Sequence, residues 1–95
     1  MKKSLLLVAI TINLVTILAQ SQRLVFVEEF TQASCGPCAA ANPAFNTLLS
    51  ANSSKAVSVK YQVSWPGTDP MNAQNPTEVA SRVAYYGVSG VPDAR

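Results

Sequence analysis

Three features of the sequence predict an α/β fold built on a βαβ unit. A short continuous apolar run, Leu24, Val25, Phe26 and Val27, suits a strand of a parallel sheet buried on both faces. Residues 35–51 follow with Ala41, Phe45, Leu48 and Leu49 at helical spacing. Residues 56–63 then alternate, with Val57, Val59, Tyr61 and Val63 on one face, as a second strand does. A strand, a helix and a strand of these lengths join by a right-handed crossover.

The first strand runs on into Glu28, Glu29 and Phe30, and residues 31–34 make a turn. Pro43 falls inside the first helix and is expected to kink it. Asn52, Ser53 and Ser54 close that helix. Residues 64–74 carry Pro, Gly, Asp and Asn and read as a loop. A second helix follows, with Asn75 as its cap, Pro76 at its first position and Glu78 placed to reach back to the cap N–H. Val79, Val83 and Tyr86 form its apolar stripe, and Gly87 is a fitting stop.

The amino-terminal segment reads as a targeting signal. Lys2 and Lys3 precede a mostly apolar run over residues 5–19, which ends in the small-x-small pattern Ala19, Gln20, Ser21. Residues 1–21 are therefore expected to be a secretory signal peptide, cleaved after Ala19 or Ser21. The alternative is an uncleaved anchor, for which the run is short and Asn13 sits badly. Export places residues 22–95 in an oxidising compartment, periplasmic or extracellular.

Composition excludes several functions. The 95 residues are 48% apolar and 13% charged, enough for one small domain. Beyond residue 21, Arg23, Lys55, Lys60, Arg82 and Arg95 balance Glu28, Glu29, Asp69, Glu78 and Asp93. A neutral chain without a basic stripe argues against nucleic acid as a partner. There is no histidine, which removes Cys–His and Ser–His catalysis. Two cysteines without histidine do not complete a tetrahedral metal site within one chain.

The chemistry lies in Cys35-Gly36-Pro37-Cys38. Thiols three residues apart at a helix start lie on one side of the first turn and can bridge. Cys35 sits where free N–H groups and the helix dipole favour an anion, which makes it the nucleophile. Cys38, one turn in, is placed to attack a mixed disulfide on Cys35. A purely structural bridge is the competing reading. By loop entropy a four-residue ring contributes about 2 kcal/mol against about 3 for a 15-residue ring, so a staple would be better placed elsewhere.

Together these features resemble thioredoxin-like proteins. More closely, they resemble a secreted thioredoxin-like group of Bacteroidetes-type bacteria related to outer-membrane proteins. The resemblance runs over residues 25–93 and is carried by Val27-Glu28-Glu29-Phe30, by Cys35-Gly36-Pro37-Cys38, and by Tyr86-Gly87-Val88-Ser89-Gly90-Val91-Pro92-Asp93. It implies that Cys35 attacks and Cys38 resolves, with no cofactor beyond a redox partner. Glu29 falls where the family carries a buried acid relaying protons to the second cysteine; the competing reading is an exposed glutamate at a strand end. Pro43 matches the family's helix kink. Pro92 matches a cis-proline facing the disulfide, and the backbone of Val91 before it would pair with the substrate chain.

Three departures from the family pattern stand out. Ser34 replaces the usual tryptophan before the first cysteine. The loop at residues 64–74 is long, and Trp65 and Met71 on it are candidates to replace that aromatic wall; the alternative is a peripheral solvent loop. The chain ends three residues after Pro92, whereas the family continues with an antiparallel hairpin and a closing helix. The resemblance therefore implies a C-terminally truncated thioredoxin-like domain, with hairpin and helix wholly beyond Asp93. The function expected is an extracytoplasmic thiol–disulfide oxidoreductase acting on protein or peptide disulfides. The alternative is a docking module of a larger surface protein whose cysteine pair stays oxidised and turns over nothing.

Overall fold

The computed structural model describes residues 1–5, 7–8 and 21–95. The core of the proposed leader and the cleavage position at Ala19 lie outside the described residues. Among those described, no helix is long and apolar enough to cross a membrane.

The chain is a mixed α/β structure. Strand β1 (Val25–Thr31) is followed by helix α1 (Gly36–Ala51), strand β2 (Ala56–Gln62), a 3-10 turn (Asn72–Gln74), helix α2 (Pro76–Tyr86) and a two-residue strand β3 (Asp93–Ala94). The sheet order is β2-β1-β3. β1 and β2 are parallel, with Val25 beside Ala56 and Thr31 beside Gln62. β3 runs antiparallel to β1, with Phe30 beside Asp93 and Glu29 beside Ala94. This corrects one expectation: an antiparallel strand starts at Asp93 itself, within the chain.

Local sequence explains the helix ends. Cys35 is the cap of α1, and its sulfur accepts the N–H of Cys38 at 3.1 Å, as a Ser or Asp oxygen does elsewhere. Helix α1 continues through Pro43. At its far end the N–H of Asn52 donates to the carbonyls of Leu48 and Leu49. Asn75 precedes α2 as expected but makes no side-chain cap bond. Its N–H donates to Asn72 O at 3.1 Å, so the 3-10 turn satisfies the group that Glu78 was expected to reach. Gly87 ends α2 at φ 63°, the left-handed conformation glycine adopts without strain.

Burial runs opposite to the apolar run of β1. Leu24, Val25 and Phe26 are all more than half exposed, whereas Glu28, Glu29, Phe30 and Thr31 are buried. The core is a cluster of Phe30, Val63, Val79 and Val88, with Tyr61, Trp65, Val83, Tyr86 and Val91 packed against it. Helix α2 thus covers the carboxyl end of the sheet. Val57 and Val59, level with Phe26 and Glu28 in the register, are exposed like Phe26. The apolar start of β1 was expected to be covered on both faces and is not, because α2 packs at the other end of the strands.

Candidate functional site

The carboxyl end of β1 carries the candidate site. The chain leaves β1 at Thr31, turns through residues 32–34 and enters α1 at the cysteine pair. That turn is tightly bonded. Ser34 N–H donates to Gln32 Oε1 at 2.6 Å, and Cys35 N–H donates to Gln32 O at 3.2 Å.

Cys35 and Cys38 form a disulfide with their Cα atoms 5.2 Å apart. Both residues are buried, at 3% and 1% exposure. The sulfur of Cys35 lies 3.7 Å from the carbonyl oxygen of Val91, and the Val91–Pro92 peptide bond is cis. The structure therefore brings Cys35, Cys38, Val91 and Pro92 together, with Gly36 and Pro37 in the first turn of α1. The Cys38 N–H and the positive end of α1 both lie at Cys35 Sγ, and each favours negative charge at that position.

Glu29 is buried at 2% exposure, so it is not an exposed strand-end glutamate. Its Oε2 lies 2.5 Å from Lys60 Nζ, its level partner on β2. Glu29 also lines a cavity of about 200 Å³ with Asn42, Phe45 and Pro92. Asn42 donates to Thr31 Oγ1 at 3.0 Å and so pins α1 to β1.

The neighbouring Glu28 points to the other face of the sheet and was missed by the sequence reading. Its carboxylate accepts from Tyr61 OH at 2.9 Å, from Arg82 Nε at 2.8 Å and Nη2 at 2.5 Å, and from Tyr86 OH. The Arg82 guanidinium, then the Tyr86 hydroxyl, hold the Glu28 carboxyl below the usual carboxylate range. Burial, then the Glu28 carboxylate, push the Tyr61 phenol up, while for Tyr86 the bond to Glu28 is the larger cause. Alternation along β1 puts Glu28 on the face of Phe30, but only the fold shows that α2 covers that face.

Trp65 is half-buried and packs against the core, lining a cavity of about 260 Å³ with Pro76, Val79 and Val83. Met71 is 66% exposed. The loop reaches the cysteine turn through Gly67, Thr68 and Asp69. Ser34 Oγ donates to Thr68 O at 3.0 Å, and Ala33 N–H donates to Asp69 Oδ2 at 2.9 Å. No protein-family model, curated protein or solved structure matches the chain.

Proposed function

We propose that the chain is a thiol–disulfide oxidoreductase of thioredoxin-like fold, working on protein or peptide disulfides in an extracytoplasmic space. The observation that carries this reading is the setting of Cys35: bridged to Cys38, capping α1, and 3.7 Å from the Val91 carbonyl beside a cis-proline. The sheet order β2-β1-β3, with β3 antiparallel, supports the fold assignment. The leader expected at residues 1–21 supports the location.

The exchange follows from the two thiols. The Cys35 thiolate attacks one sulfur of a substrate disulfide, forming a mixed disulfide and releasing the first substrate thiolate. The Cys38 thiolate then attacks Cys35 Sγ, forming the internal disulfide and releasing the second. Two electrons pass from the dithiol to the substrate, and the released thiolates take up the protons the cysteines gave. Run backwards, the same steps oxidise a substrate dithiol. Val91 offers its backbone to the substrate chain. Glu29, buried beside Lys60, serves as the proton carrier for Cys38.

One observation favours a docking module instead. Both cysteines are almost fully buried in the oxidised pair. Turnover separates the readings. With dithiothreitol as terminal reductant, the full chain is expected to accelerate reduction of a peptide disulfide, and Cys35→Ser and Cys38→Ser to abolish the acceleration. A wild-type rate equal to dithiothreitol alone would leave the docking module as the function.

A further inference from the structure

The loop at residues 64–74 has the composition of a solvent loop, yet Asp69 on it is only 5% exposed. Its carboxylate bonds to two backbone N–H groups on different segments. Oδ2 accepts from Ala33, in the turn before Cys35, at 2.9 Å. Oδ1 accepts from Met71, within the loop, at 2.8 Å. The Asp69 carbonyl also accepts the N–H of Asn72 at 3.1 Å and so closes the turn that leads into the 3-10 turn. One side chain thus fixes the loop's own shape and joins it to the cysteine turn.

The contact surface is equally specific. A Cβ on Gly67 would lie 2.8 Å from Ser34 Cβ and 3.0 Å from Ser34 Oγ. Gly67 does not have a positive φ, so close approach to Ser34 is what requires glycine there. Ser34 in turn donates to Thr68 O. The residue next to the nucleophile is therefore in contact with Gly67 and Thr68.

We infer that residues 67–71 form a fixed wall of the substrate site, and that Asp69 is the positioning residue that seats this wall against the turn before Cys35. The inference rests on the oxidoreductase reading and assigns the wall's chemistry. Thr68 and Met71 are exposed, and Asp69, the one ionisable residue between positions 64 and 74, is turned inward. The wall therefore offers an uncharged surface to the chain flanking a substrate disulfide. The preferred substrate is a neutral peptide disulfide, held against this wall while Val91 meets it near Cys35 Sγ. A small aromatic disulfide has no flanking chain and gains nothing from the wall.

The test is a ratio of rate constants. The reduced full chain is mixed with a neutral peptide disulfide or with Ellman's reagent, and its oxidation is followed by mass spectrometry. Gly67→Ala, which pushes the wall off Ser34, and Asp69→Ala, which releases it, are each expected to lower the peptide-to-Ellman ratio about tenfold, since misplacement on the order of 1 Å costs that much or more. Adding Ser34→Gly to Gly67→Ala removes the atoms in conflict and should restore most of the ratio, which a general loss of stability would not do. If Asp69→Ala fails to fold by circular dichroism, Gly67→Ala and its rescue decide alone. A ratio within about twofold of wild type for Gly67→Ala would overturn the wall. Wild-type protein that exchanges with neither disulfide would instead overturn the oxidoreductase reading itself.

Discussion

The sulfur of Cys35 lies 3.7 Å from the carbonyl oxygen of Val91, 56 residues further along the chain. Sequence neighbours of Cys35 supply its partner thiol and its helix. Val91, on the segment that leads into β3, brings a backbone carbonyl up to that sulfur. The two meet because β1 lies between β2 and β3, so the turn after β1 and the chain before β3 share one end of the sheet.

The first prediction concerns the thiols of the reduced protein. Cys35, at the start of α1 with the Cys38 N–H beside it, should titrate below the free thiol value of about 8.5. Cys38 lacks that position and should titrate higher. Iodoacetamide alkylation against pH, read by mass spectrometry at each cysteine, measures both; equal titrations would remove Cys35 as nucleophile.

A second prediction follows from Glu28. Its pKa is lowered in the folded chain, so its stabilising contribution is full above the unfolded carboxyl value of about 4.3 and is lost as pH falls through the folded pKa. Tyr61 and Tyr86 are raised, so theirs is full below about 10 and is lost as pH rises through their folded pKa values. Urea unfolding should therefore weaken at both ends of the pH range. Glu28→Gln should flatten the acid limb, and an unaltered acid limb in that variant would contradict the assignment.

The elements with local signals were legible in the sequence. Cys35 at the helix start, the span of α1, the presence of a strand at β2 and the stop at Gly87 all follow from spacing and turn chemistry, although Val57 and Val59 on the apolar face of β2 are exposed. The coverage of the sheet was not. Glu28 meets Tyr61, Arg82 and Tyr86, each more than 30 residues away, and a glutamate in a strand carries no mark of being buried. The apolar start of β1 misled for the same reason, since burial depends on where α2 packs. Asp69 was hidden by its company: a loop of Pro, Gly and Asn reads as solvent, and only the fold brings Ala33 to it.

The third prediction is a coupling between Glu29 and Lys60. Lys60→Ala leaves a carboxylate that is 2% exposed without its cation. Because Lys60 itself is 31% exposed, the cost should be moderate, about 1–3 kcal/mol in urea unfolding. In a Glu29→Gln background the same substitution should cost almost nothing. Equal costs in the two backgrounds would show that the pair is not coupled.

The fourth prediction is about the core. Phe30 is fully buried and stacks on Tyr61 at 5.2 Å between ring centroids, with Tyr86 edge-on at 6.0 Å. Phe30→Ala should cost about 3–5 kcal/mol, a large share of the stability of so small a domain. Phe26→Ala, at a position 52% exposed, should cost far less. Thermal unfolding by circular dichroism compares them, and similar losses would contradict the placement of the core under α2.

The claim on which the account rests is that Cys35 attacks and Cys38 resolves. Trapping tests it most directly. Cys38→Ser protein, mixed with a neutral peptide disulfide and quenched in acid, should carry one peptide in disulfide linkage to Cys35 by mass spectrometry. Cys35→Ser should carry none under the same conditions. Adducts of equal yield on both variants, or on neither, would contradict the division of roles between the two sulfurs.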